Sequence, residues 1–212
     1  MTGTAQLSAI SKSERTAQRI LDAAEKLILE RGLDGVGVET VALAAGVSRQ
    51  AVYDKFGSKG GVLKAVALRV EERLGIGQTV ARVSAEPDGL SKLTALFDLN
   101  QVSEPGIAPL VRVIHAARLH DETAAALWND RMAARHAAMQ EVVEQLGREG
   151  RLRRGLTVQR GTDILWSILN PLHYENLVVA RGWSIGEYRE HIEAMARAGL
   201  LGEGPPALEE QS

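Results

Sequence analysis

An all-α fold follows from two observations on this 212-residue chain. Apolar residues recur three and four positions apart along nearly its whole length, the spacing of one face of a helix. No stretch of alternating, β-branched residues bounded by turn signals stands out as a strand.

The elements follow in order. Residues 14–31 place Ile20, Ala23, Ala24, Leu27 and Ile28 on one face, and Gly32 ends that helix as a C-cap residue would. A short turn, LDGVG, leads to two short helices over 38–45 and 49–56. A longer helix starts after Ser58, whose hydroxyl can cap it. Gly75 and Gly77 stop or bend this helix, since each glycine costs about 1 kcal/mol relative to alanine in a helix interior. The segment SAEPDGLS, with Pro87, Asp88 and Gly89 in succession, has the turn chemistry of a boundary. Further helices are expected over 90–102, 107–120, 122–148, 158–180 and 185–199. Asp121 and Ser184 read as caps, and Ser184 with Glu187 as a capping box. The first dozen residues and the tail GEGPPALEEQS read as disordered.

Composition narrows the function. There is no cysteine, which removes thiolate catalysis, cysteine-ligated zinc and any dependence on disulfides, so a cytoplasmic location is expected. The polar N-terminal stretch lacks an apolar leader core, and no eighteen apolar residues run uninterrupted, so neither export nor a membrane span is expected. A net charge of -2 does not announce a nucleic-acid binder. The charge is uneven, however: residues 1–82 hold 12 Lys/Arg against 9 Asp/Glu, and residues 83–212 hold 13 against 18.

The segment VETVALAAGVSRQAVYDKF has the requirements of a helix-turn-helix. Two short helices that cross steeply need a small residue at the contact, here Ala42, and a left-handed turn residue, here Gly46. Val41, Ala45, Val47 and Val52 supply the shared core, and Ser48 caps the second helix. With Val52 and Phe56 inward, the helical period leaves Arg49, Gln50 and Tyr53 outward. Arginine can pair with guanine O6 and N7 and glutamine with adenine N6 and N7, while Ser48 and Ala51 suit smaller contacts. Tyr53, Lys55 and Lys59 suit phosphate, and Thr40 completes the candidate DNA-binding set.

From Arg19 to Leu68, through ILDAAEKLILERGLDGVGVETVALAAGVSRQAVYDKFGSKGGVL with its Tyr53-to-Lys59 YxxFxSK stretch, the sequence resembles the TetR family of bacterial regulators. Two positions depart from that pattern: Gly37 stands where a Ser or Thr cap is frequent, and Glu39 where a basic residue often approaches phosphate. The resemblance implies a disordered arm at 1–13, a helix-turn-helix DNA-binding domain at 14–60 with its motif at about 37–56, a ligand-binding and dimerisation domain at 61–200, and a flexible tail at 201–212. It also implies a homodimer reading a near-palindromic double-stranded operator, and repression relieved by a small-molecule effector. The stretch from Asp163 to Met195 is similar to the family's last two helices, which pair with their copies in a four-helix bundle. Ile164, Leu165, Ile168, Leu169, Leu172, Leu177 and Val178 give one helix more apolar surface than one core face needs, which suits an interface, with core burial as the alternative.

For the effector the middle helices offer a mixture of apolar and polar residues, Phe97, Asn100, Arg112, His115, Trp128, Met132, Trp166, Asn170 and His173, that suits a small-molecule cavity, with a plain reading of each as core or solvated face as the alternative. The five histidines lack metal-ligand spacing, GSKGG lacks phosphate-loop spacing, and Gly75 with Gly77 lacks the third glycine of a dinucleotide loop. No metal, cofactor or catalytic residue is therefore expected, and a helical enzyme stands well behind a regulator. A regulator that answers a protein partner, or that activates, is the other alternative.

Overall fold

A computed structural model describes residues 11–202. The described residues form helices α1 (Lys12–Arg31), α2 (Val38–Ala45), α3 (Arg49–Phe56), α4 (Lys59–Arg73), α5 (Ile76–Ala85), α6 (Gly89–Ala117), α7 (Glu122–Arg148), α8 (Val158–Ile168), α9 (Pro171–Tyr174) and α10 (Ile185–Leu200). A π-helical turn, Glu175–Val179, follows α9. The expected disorder of residues 1–10 and of the tail from 203 onward lies outside the described residues. No helix among the described residues is long and apolar enough to cross a membrane.

The chain divides into two compact units, one running to Arg69 and including Val113–Leu127, the other formed by Val70–Arg112 and the residues from Trp128 onward. In the first unit α1 starts at Lys12, two residues earlier than expected, because Ser11 and Glu14 form a capping box. The α1 residues Ile20, Ala24, Leu27 and Ile28 are buried, as are Leu33 and Val36 of the following turn. Val41, Ala42 and Ala45 of α2, Val52 of α3 and Val62, Leu63, Val66 and Ala67 of α4 are buried as well. Each fully buried aliphatic side chain contributes about 1.5–3 kcal/mol by leaving water. Arg69 ties α4 to α1 through Asp22 and Glu25, both at 2.6 Å.

The second unit centres on Leu93, Phe97, Val143, Leu146, Leu165, Leu169, Tyr188, Ile192 and Leu200, all at most 1% exposed. Two glycines let α8 lie close to its neighbours. A Cβ on Gly161 would meet Val143 at 2.9 Å, and one on Gly199 would meet Ile164 at 3.2 Å. The buried Lys92 ammonium donates to the Val83 and Ser84 carbonyls and to Glu141, so it satisfies acceptors at the C-terminal end of α5.

Three expectations about elements need correction. The chain does not break at 103–106: α6 runs unbroken through Pro105 and Pro109. Its buried side carries Leu93, Phe97, Asn100, Glu104 and Ala108 at helical spacing, so burial continues across both prolines. The helix expected over 158–180 is interrupted at Leu169 and Asn170. Asn170 is extended (φ -66°, ψ 133°), its side chain accepts from Leu172 N at 2.9 Å, and Pro171 opens the next turn. Finally, the apolar surplus on that segment is smaller than supposed, because Leu165, Ile168 and Leu169 are buried in the unit's own core. Gly75, by contrast, ends α4 in a left-handed conformation (φ 65°), while Gly77 lies inside α5.

Candidate nucleic-acid interface

The geometry of α2 and α3 is built from a few residues. Gly46 ends α2 with φ 63° and ψ 42°, a left-handed conformation that a side chain disfavours. Its surroundings reinforce the requirement. Arg19 of α1 donates from Nη2 to the Ala45 and Gly46 carbonyls at 2.6 and 3.0 Å, and a Cβ on Gly46 would lie 2.7 Å from that nitrogen. Ser48 then starts α3, its hydroxyl accepting from Ala51 N at 3.1 Å.

At the other end Gly57 turns the chain with φ 73°, and the Ser58 hydroxyl accepts from Gly61 N at 3.0 Å. Gly61 permits this connection because a Cβ there would sit 1.8 Å from the Phe56 carbonyl oxygen. Val52 is buried and Phe56 half-buried, so α3 is anchored by one side.

The opposite side carries the residues expected to read bases. Arg49, Gln50 and Tyr53 are all exposed. Arg49 reaches 3.9 Å from the Glu39 carboxylate, both side chains lying largely in solvent. Gln50 donates from Nε2 to Asp54 at 2.7 Å, an i,i+4 bond along the outer face. Both donors thus rest against carboxylates, held by contacts that an incoming base edge can replace. Thr40 and Ala51 are half-buried beside this face, and Ser48 is exposed. Gly37 caps α2 without any side-chain hydrogen bond.

The lysines expected at phosphates divide. Lys55 is exposed and donates to the Ser13 hydroxyl. Lys59 donates to Asp121 at 2.8 Å. Asp121 also accepts from Ala124 N at 3.0 Å, the capping role expected for it at the start of α7. The hydrogen bond from Lys59 holds the Asp121 carboxyl below its ordinary pKa, against the opposing effect of burial. Lys59 therefore has a structural partner inside the first unit, which sequence spacing could not reveal.

The residues expected at an effector are not gathered in one unit. His115 belongs to the first, where burial and then the neighbouring Arg118 lower its pKa. The others belong to the second unit in varied settings. Phe97 is fully buried, and Trp128, Met132 and Trp166 are half-buried. Arg112 is exposed and pairs with Glu175 at 3.3 Å. Asn170 is the cap already described, and His173 Nδ1 lies 2.9 Å from the Ile168 carbonyl.

Asn100 stands apart. It is 5% exposed, and its Nδ2 donates at 3.0 Å to Glu104, which is 0% exposed. Arg135 donates from Nη2 to the same Glu104 oxygen at 3.1 Å and to the Leu169 carbonyl at 2.7 Å. Burial pushes the Glu104 carboxyl up, and Arg135 and Asn100 only partly oppose it. Tyr188, also 0% exposed, packs edge-on to Tyr174 with ring centroids 5.6 Å apart. Glu104 was missed in the sequence because the expected break at 103–106 put it in a loop. The register Leu93, Phe97, Asn100, Glu104 would have placed it in the core. No group of three or more potential metal-binding His, Asp or Glu side chains occurs among the described residues.

Comparison with known proteins agrees with this geometry. The family described as bacterial regulatory proteins, tetR family, matches residues 20–66, from the core of α1 into α4. The chain is 44% identical over 55 residues to the HTH-type transcriptional regulator AlkX of Mycobacterium tuberculosis, covering 26% of each chain. It is 39% identical over 95 residues to the HTH-type transcriptional regulator BetI of Burkholderia ambifaria, covering 43% of this chain and 48% of that one. These matches span between about a quarter and a half of the length of the curated relatives. Over nearly full length the fold is that of NalD of Pseudomonas aeruginosa, the secondary repressor of the MexAB-OprM multidrug efflux pump, with a TM-score of 0.68 and 26% identity over 90% of this chain and 98% of that one. Residues 20–66 thus match the tetR family of bacterial regulatory proteins across the helix-turn-helix, and the remaining helices are similar in fold to the solved structure.

Proposed function

We propose that this protein is a cytoplasmic, sequence-specific DNA-binding transcriptional regulator, a homodimeric repressor released from its operator by a small-molecule effector. The observation that carries the reading is the outer face of α3. Arg49, Gln50 and Tyr53 stand exposed on a helix fixed by buried Val52 and left-handed Gly46. Such a helix fits the major groove, where arginine and glutamine recognise guanine and adenine. Residues 14–60 serve as the reader and 61–200 as the effector-binding and dimerising part. The half-buried Ile164, Leu172, Leu177 and Val178, with exposed Val179, supply apolar surface for the partner copy. Repression is favoured by the likeness to NalD over almost that protein's whole length. The effector shifts a two-state equilibrium, and a coupling of about 1–3 kcal/mol between effector and DNA is ordinary.

Binding-site selection from random DNA with the full-length protein tests the reading. A near-palindromic consensus is expected. Arg49→Ala and Gln50→Ala should each lose about 1–3 kcal/mol of preference at one base position per half-site. Unchanged base preference in Arg49→Ala would remove α3 from the role of recognition helix.

A further inference from the structure

The second unit holds a buried polar cluster that its own hydrogen bonds leave incomplete. Asn100, Glu104 and Tyr188 are 5%, 0% and 0% exposed. Asn100 Oδ1, Glu104 Oε2 and the Tyr188 hydroxyl are each buried without a hydrogen-bond partner. Leaving such a group unpaired costs about 1–3 kcal/mol, and more for a charged group. Three in one core are unusual, since buried polar atoms are nearly always paired.

Their chemistry is of one kind. A carboxylate oxygen and an amide oxygen accept hydrogen bonds, and a phenolic oxygen can also accept. Among the described residues, the cation in hydrogen-bond contact with the cluster, Arg135, is committed to the other Glu104 oxygen and to the Leu169 carbonyl. Asn100 and Glu104 sit one turn apart on α6, and burial first and the Glu104 charge second raise the pKa of Tyr188. The adjoining wall is irregular. The helix stops at Leu169 and Asn170, and after Tyr174 the chain makes a π-helical turn. A single π-helical turn inside helical structure often accompanies a functional position.

We infer that Asn100, Glu104 and Tyr188 form the recognition end of the effector site and take the ammonium group of a small primary amine. A primary ammonium carries three N–H donors and one positive charge, matching three unpaired oxygens, one of them on a carboxylate. A quaternary ammonium brings the charge without donors, and an alcohol brings a single donor without the charge. The aromatic edges of Tyr174 and Tyr188 and the side chain of Phe97 give the apolar part of the amine a dry surface.

This assignment rests on the reading of the chain as an effector-responsive DNA binder, and the experiment separates the two. Calorimetric titrations of the full-length protein use n-butylammonium, n-butyltrimethylammonium and n-butanol at up to millimolar-order concentrations. DNA affinity is measured in parallel on the sequence selected from the random pool. The expected result is that only n-butylammonium binds and that it lowers DNA affinity. Glu104→Gln and Tyr188→Phe, both near-isosteric, should weaken n-butylammonium binding by about tenfold or more and about threefold or more respectively. Both variants should keep the DNA affinity of the amine-free protein, which also shows that they fold. The assignment is overturned if n-butylammonium fails to bind, if all three probes bind alike, if both variants bind it undiminished, or if its binding leaves DNA affinity unchanged. Failure to select any DNA would instead overturn the regulator reading, while the titrations would still decide whether the cluster takes an amine.

Discussion

At the scale of single residues, the outer face of α2 and α3 is tuned by carboxylates. Glu39 lies 3.9 Å from Arg49 in solvent, where an ion pair is worth about 0–1 kcal/mol, so the arginine is restrained rather than locked. The same carboxylate repels the phosphates that a bound duplex would bring near. Glu39→Gln should therefore tighten binding to specific and unrelated DNA alike, by about 1 kcal/mol or less, and steepen the loss of affinity with salt. Gel-shift titrations at two salt concentrations check this, and weaker binding by the variant would show that Glu39 positions Arg49 productively. Asp121 makes a different point. Its folded pKa is lowered, so the stability it contributes is present above the ordinary aspartate value and is lost as pH falls through the lowered one. Asp121→Asn should flatten the acid limb of a urea-denaturation series while lowering stability near neutrality. An unaltered acid limb would mean that the Lys59 contact is not maintained in solution. Glu104 has the opposite sign: its raised pKa makes stability fall as pH rises from the ordinary glutamate value toward the folded one. Glu104→Gln should remove that decline and be at least as stable as the parent near neutrality, which urea midpoints against pH will reveal.

At the scale of elements, the turn between α3 and α4 is the most constrained connection, because the Phe56 carbonyl occupies the space a side chain on Gly61 would need. A Cβ there, 1.8 Å from that oxygen, can be accommodated only by moving backbone. Gly61→Ala should cost about 1–3 kcal/mol of stability and shift α3 enough to lose selective DNA binding. A variant with parental urea midpoint and operator affinity would show that the turn relaxes freely. These local devices were largely legible in the sequence: Gly46, Ser48, Ser58 and the Ser184 capping box act through neighbours within a few residues, and spacing reports such neighbours. The course of α6 was not legible. Proline lacks the N–H that a helix interior uses, so Pro105 and Pro109 read as a break, yet the buried face carries the helix past them. Conversely, the break before Pro171 was written in the Asn170-Pro171 pair but hidden by apolar periodicity that continues on either side. Contacts distant in sequence, such as Lys59 with Asp121 or Glu104 with Arg135, leave no local signal in either partner.

At the scale of the whole molecule, the charge balance sets what one chain can do alone. A net charge of -2, with only a slight basic excess in residues 1–82, gives a single reading head little nonspecific attraction to DNA. In the proposed homodimer, useful affinity comes from two heads bound together, the second engaging at an effective concentration fixed by the dimer. Two-fold symmetry of that proposed dimer would make the selected site near-palindromic, with half-site centres about 34 Å apart or a multiple of that distance. Destroying one half-site should weaken binding by about 100-fold or more, a penalty set by lost avidity rather than by a few base contacts. Sedimentation of the complex should find an even number of chains per intact operator. One chain bound per site, with a half-site held as tightly as the full sequence, would show that a single α3 suffices and that the half-buried apolar residues of 164–178 serve the core rather than a partner copy.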